Sequence, residues 1–123
     1  MTQKEIAHQF LKMAASGNVQ AAYDSYVSHQ FKHHNQYFKG DRNSLLEAMQ
    51  ASHKQSPNKS FTIKHTYEDK DTVIVHSLVE RANGNDFHIA VVHILKFKDN
   101  KIIEMWDLGQ QIINNCPNEN GLF

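Results

Sequence analysis

Apolar residues recur every three to four positions through the first half of the chain and every second position afterwards, and the period changes near Ser60. Ile6, Phe10, Met13 and Ala14 form one stripe between Thr2-x-x-Glu5, a capping-box signature, and Gly17, a C-terminal stop; this predicts a first helix. Asn18 stands where it can cap a second, shorter helix with Val19, Ala22, Tyr23, Tyr26 and Val27 on one side, so the two form a helical hairpin. Residues 28–40, SHQFKHHNQYFKG, follow neither period and predict a loop rich in histidine and aromatic side chains. Asp41 or Ser44 can cap a third helix carrying Leu45, Leu46, Met49 and His53 along one stripe, ended by SPNKS.

Beyond Ser60 the alternation predicts four strands, over 61–67, 72–81, 87–98 and 101–113, separated by turn residues at 68–70, 83–85 and 99–100. Asn83-Gly84 and Asp99-Asn100 are short and flanked by β-branched residues, which predicts antiparallel hairpins. Helices first and a meander last is the α+β order. The polar tail over 114–123 ends in Leu122-Phe123, an apolar pair expected to dock on the body of the protein.

Side chains alternate faces along a strand, so parity groups candidate site residues. Ile89, Val91, His93, Leu95 and Phe97 share one face of the third predicted strand; Ile103, Met105 and Asp107 share one on the fourth; Ile74, His76 and Leu78 do so on the second. Three adjacent strands are thus expected to place one titratable group each on a common apolar surface. A carboxylate on such a surface binds its proton more tightly than in water, and a nearby imidazole can orient it, relay its proton or polarise a carbonyl. The plainer readings stand beside this one: a strand histidine can be a satisfied core residue, and Asp107 can accept backbone hydrogen bonds at a bulge near Gly109. His33, His34 and Asn35, followed by Tyr37, Phe38 and Gly40, form a second cluster that a loop can hold over a cavity mouth.

At 123 residues the chain fits one domain with one core, in which any site must be carved. Thirteen basic and thirteen acidic side chains cancel, which speaks against a nucleic-acid partner, since backbone recognition needs a basic surplus on one face. The polar-apolar mixture MTQKEIAHQF is neither a signal peptide nor a membrane span, and the lone Cys116 in a polar tail fits a reducing compartment, so a cytoplasmic protein without membrane contact is expected. No metal is expected: there is no His-x-His, no helical His pair at metal-binding spacing and only one cysteine. A nucleophile elbow and a glycine-rich phosphate loop are also missing, so neither covalent catalysis nor a nucleotide cofactor is suggested.

The stretches FKHHNQYFKGDRNSLLEAM, DTVIVHSLV, IAVVHILKFKDNKIIEMWDLGQ and PNENGLF resemble the SnoaL-like proteins of the nuclear transport factor 2-like superfamily, over almost the whole chain. The resemblance implies a cone-shaped, barrel-like fold in which a curved antiparallel sheet wraps around N-terminal helices and encloses a deep pocket, a homodimer packed sheet to sheet, and no cofactor. It also implies the chemistry of the family's polyketide cyclases, which close a ring by intramolecular aldol condensation with an aspartate on the last long strand as general acid/base and a histidine on the preceding strand; by position these are Asp107 and His93. Other members isomerise, dehydrate, hydrolyse epoxides or bind ligands in the same pocket. Gln36, and Ile112-Ile113, stand where many relatives carry proline, departures that bear on the pocket rim. The leading expectation is a cofactor-independent acid/base enzyme acting on a small carbonyl compound, by aldol condensation, cyclisation or isomerisation, with His34, Asn35, Phe38, His76, Trp106 and Gln110 shaping the site. Trp106 has the opposite parity to Asp107, so it reaches that site only through a bulge or a partner subunit, or serves instead on a dimer face. The alternatives are a non-catalytic small-molecule binding module using the same pocket, or an interaction module acting through the sheet.

Overall fold

In the computed structural model, which describes residues 1–81 and 88–123, the capping box at Thr2 opens α1 (Gln3–Ala15). The Thr2 hydroxyl accepts from the Glu5 amide at 3.2 Å, and the Glu5 carboxylate accepts from the Thr2 amide at 3.0 Å. Gly17 ends the run in the left-handed region at φ +98°, and a Cβ there would lie 2.4 Å from His53 Nε2. Glycine is therefore required twice, for the turn and for the close approach of the third helix. α2 (Val19–Tyr26) follows, and here the expected cap is not made: Asn18 occupies the N-cap position, but its side chain makes no capping bond. α3 (Arg42–Gln55) is capped by Asp41 rather than Ser44, the Asp41 carboxylate accepting from Ser44 N at 3.0 Å and from Ser44 Oγ at 2.6 Å.

Residues 27–33 depart from the predicted loop. They form β1 (Val27–His33), which lies parallel to the last strand, with Lys32 opposite Glu104 and His33 opposite Met105. The buried positions are Val27, Phe31 and His33; exposed His29 interrupts the alternation within the stretch where the pairing shifts register, and four polar residues mask the strand period. β2 (Lys59–Asp69), β3 (Thr72–Arg81), β4 (Ile89–Lys98) and β5 (Lys101–Gln111) form the antiparallel meander. The Asn83–Asn85 turn and the predicted strand start at Phe87 lie outside the described residues. The turn at Asp99-Asn100 holds both residues at positive φ, 52° and 60°, the left-handed pair that a two-residue hairpin requires.

The five strands run in the order β1-β5-β4-β3-β2 in a curved sheet that does not close on itself, with the helices against its inner face. That face is a row of Val73, Val75, Leu95, Phe97, Ile102 and Met105, each at most 2% exposed, against Phe10, Leu11 and Tyr23 of α1 and α2. Burial of these side chains is the main stabilising term, at about 1.5–3 kcal/mol each. One shift in β5 matters for the site. Phe97 pairs with Ile102 and Lys96 with Glu104, so Ile103 is the extra residue of a bulge. The inward row therefore reads Ile102, Met105 and Asp107, not Ile103, Met105 and Asp107.

Candidate active site

The register of β4 with β5 sets His93 directly opposite Asp107, on the face shared with Leu95 and Met105. On β3, Val75 lies opposite His93, and the inward row is Val73, Val75 and Ser77. This departs from the expected three-strand cluster. His76 pairs with Val92, itself opposite Leu108, so it lies on the outer face. Both rows of β3 are apolar, and parity alone does not say which one turns inward. Trp106 and Gln110 share the outer face with His76, their even numbers running against odd Asp107 beyond the bulge.

His93 is 8% exposed, and its Nδ1 has no hydrogen-bond partner among the described residues. Burial pushes its pKa down to about 4, against the opposing pull of the Asp107 negative charge. At neutral pH it is therefore a neutral imidazole with unspent hydrogen-bonding capacity. Ser77 Oγ is likewise buried without a partner. Such groups cost stability unless something uses them.

Asp107 is held from the segment after β1. Asn35 Nδ2 donates to Asp107 Oδ2 at 3.1 Å, while Asn35 Oδ1 accepts from Tyr37 N at 3.0 Å, which fixes the orientation of the amide. The Asn35 backbone N–H in turn donates to His33 Nδ1 at 3.1 Å, so the His33 proton sits on Nε2 and is donated to the Lys39 carbonyl. His33 is thus spent on shaping the loop. His34 turns outward: its ring stacks on Trp106 at 4.6 Å, and its Nε2 lies 2.6 Å from Glu104 Oε2. Glu104 is held below the usual carboxylate range by that hydrogen bond, helped by Lys32.

Asp107 borders a cavity of about 560 Å³ with Asn35, Phe38, Leu45, Met49 and Val91, and a second of about 220 Å³ with Leu11, Ala14, Phe61, Val79 and His93. Met49, Ser52, Arg81, Ile89 and Val91 line both, so the two spaces adjoin beneath α3. A rim hollow of about 340 Å³ joins Asp107 to His34 and Gln36. A larger concavity of about 700 Å³ lies on the outer face, between His76, Val92, Leu108 and Gln110 and the tail residues Cys116 and Leu122. There the Phe123 ring sits 4.9 Å from the His76 ring and 5.6 Å from Lys64 Nζ, so the terminal apolar pair does meet the sheet. Its lining includes neither Asp107 nor a buried titratable group.

Arg81, which sequence reading passed over, lines both inner cavities, and Lys59 lines the smaller. Arg81 continues the odd-numbered row Val73-Val75-Ser77-Val79, which only the pairing with β4 identifies as the inward one. No three His, Cys, Asp or Glu side chains among the described residues come together as a metal group. No helix among them is long and apolar enough to cross a membrane.

A family model for the SnoaL-like domain matches residues 7–105. The chain belongs to the SnoaL-like domain family. Solved structures that this SnoaL-like domain resembles include a candidate polyketide cyclase from Acidithiobacillus ferrooxidans, at 18% identity over 88% of this chain and 87% of the other, with a TM-score of 0.75. IdmH, a candidate polyketide cyclase from Streptomyces antibioticus, is 12% identical over 89% and 93%, with a TM-score of 0.76. AclR, a candidate hydroxylase from Streptomyces galilaeus, is 18% identical over 89% and 91%, with a TM-score of 0.70. At these identities the likeness is one of fold, the curved sheet around N-terminal helices. No curated protein matches the sequence.

Proposed function

We propose that this SnoaL-like domain is a cofactor-independent acid/base enzyme for a small carbonyl compound, of the aldol, cyclisation or isomerisation type. The observation that carries the reading is the cross-strand pair: Asp107, steadied at one oxygen by Asn35, opposite a buried neutral His93, both on the wall of an apolar cavity. Among the described residues Asp107 Oδ1 has no protein partner, so it is the oxygen available for proton transfer. Asp107 takes a proton from the carbon next to the substrate carbonyl, and the electron pair moves onto the carbonyl oxygen as an enolate. His93, in its Nδ1–H tautomer, can donate a hydrogen bond to that oxygen. In an aldol closure the enolate carbon bonds to a second carbonyl of the same molecule, and the resulting alkoxide recovers the proton from Asp107. Phe38, Leu45 and Met49 supply apolar contact for the substrate skeleton.

Proton abstraction can be measured with a probe. Incubating the protein in D2O with 2-acetonaphthone and following loss of the methyl proton signal by NMR reads the step directly. Catalysed exchange is expected, falling by about 10²-fold or more in Asp107→Asn. Exchange unaffected by that substitution would defeat the assignment. Binding of the ketone with no exchange would leave a binding module in the same cavity.

The family resemblance also supports a homodimer through the outer face, where Leu108 and Tyr67 stay 61% and 60% exposed. Light scattering at micromolar concentration is expected to return twice the chain mass, and a monomer mass would refute it.

A further inference from the structure

His33 is the last residue of β1 and is buried, at 5% exposed. The pairing of β1 with β5 sets it opposite Met105, and the His34 backbone N–H adds one more bond by donating to the Met105 carbonyl at 3.0 Å. From there the chain leaves the sheet, and the His33 ring takes over. Its Nε2–H donates to the Lys39 carbonyl, its backbone N–H donates to the Gly40 carbonyl at 3.1 Å, and its Nδ1 accepts from the Asn35 backbone N–H at 3.1 Å. One buried residue therefore ties down both ends of the segment 34–40. Each nitrogen of the ring has one defined role, and only the neutral Nε2–H tautomer fills both. With the proton on Nδ1 instead, two donors would face each other and the Lys39 carbonyl would lose its partner.

What the ring places is the donor to Asp107. Asn35 Nδ2 reaches Asp107 Oδ2 at 3.1 Å, and Tyr37 N–H holds Asn35 Oδ1 at 3.0 Å. The Tyr37 bond orients the amide plane but cannot set its distance from β5, since Tyr37 is 78% exposed and belongs to the same loop. The bond to His33 ties Asn35 to the buried end of β1 instead. From the hydrogen-bond chain His33 Nδ1–Asn35–Asp107 we infer that His33 is a positioning residue of the proposed reaction, setting the Asn35 amide against Asp107 Oδ2 and thereby aiming Oδ1 at the substrate. The inference rests on the acid/base reading above, and adds to it a residue that acts on Asp107 only through Asn35.

Two substitutions in the full chain, each keeping half of the imidazole, separate this role from a merely structural one. His33→Asn keeps an acceptor near the place of Nδ1, and His33→Gln keeps a donor near the place of Nε2. Deuterium exchange into 2-acetonaphthone is expected to fall about tenfold in His33→Gln and to stay within about threefold in His33→Asn. Affinity for 2-naphthamide, a neutral probe without α-hydrogens, is expected to stay within about twofold in both, as read by isothermal titration, because the loss is one of aim. In the Asn35→Ala background His33→Gln should lower exchange no further, since the two residues act in series. In the natural sequence the Asn35 N–H to Nδ1 bond should appear as a ¹⁵N–¹⁵N coupling across the hydrogen bond. That reading, with the rate retained in His33→Asn, decides the matter if His33→Gln does not fold. Equal rates in the two variants, a loss in His33→Asn as large as that in Asn35→Ala, or an absent coupling overturns the inference while exchange that still depends on Asp107 keeps the acid/base reading intact. No exchange by the natural sequence sinks both together.

Discussion

The two faces of the sheet carry the same kinds of side chain in opposite states. On the outer face His34 is stacked on Trp106 and bonded to Glu104, and His76 lies against His65 and Phe123. On the inner face, among the described residues, His93 is buried with Nδ1 unpartnered and Asp107 has one protein donor, Asn35. Outer-face groups are spent on one another or on the tail; His93 and Asp107 are held on the inner face with capacity left over. Chemistry needs the second condition, a group that is positioned but not satisfied. The contrast separates candidates that residue type alone leaves equal.

Exchanging carboxylates across the faces gives the largest expected effect. Asp107→Asn should lower deuterium exchange into 2-acetonaphthone by about 10²-fold or more, whereas Glu104→Gln should leave it within about threefold. Comparable losses in the two variants would erase the distinction. Next comes Asn35→Ala, which removes the donor to Asp107 Oδ2; exchange is expected to fall about tenfold with little change in affinity for 2-naphthamide, since Asn35 positions the carboxylate. An unchanged rate would mean that the bond orients nothing.

A third effect is on stability. His93 has a folded pKa of about 4, below the ordinary histidine value, so the unfolded chain binds the extra proton first. Its contribution is complete above about pH 6.5 and is lost as pH falls toward 4, with a slope of at most about 1.4 kcal/mol per pH unit. Denaturant titrations of His93→Gln should lack that part of the slope, and an identical pH profile would contradict the burial. The smallest effect belongs outside: breaking the Glu104–His34 pair is expected to cost no more than about 1 kcal/mol, less at high salt, as read from the urea midpoint.

Much of the fold was legible because local signals agreed. The Thr2–Glu5 box, the Gly17 stop, the Asp41 cap and the Asp99-Asn100 turn each satisfy backbone groups within a few residues, so spacing suffices to find them. The strand at Val27–His33 was hidden because it pairs with β5, roughly seventy residues away, and because polar, exposed His29 interrupts its apolar alternation. His93 and Asp107 fall on one face by parity, and the register sets them opposite each other. His76 was misplaced because β3 is apolar on both faces, so only the pairing of Val75 with His93 reveals which row turns inward. That same ambiguity hid Arg81 on the wall of both inner cavities. The bulge at Ile103 was equally invisible, since Ile102 and Ile103 are identical side chains and only the Phe97–Ile102 pairing chooses between them.

The proposed chemistry requires an imidazole kept neutral and unsatisfied beside Asp107 in a space that admits a ligand. Imidazole ¹⁵N NMR of His93, followed through a pH titration with and without 2-naphthamide, observes both properties at once. His93 should remain neutral down to about pH 4, and its ring signals should move when the probe is added. Protonation near the ordinary value of about 6.5, with ring signals indifferent to the probe, would contradict the account.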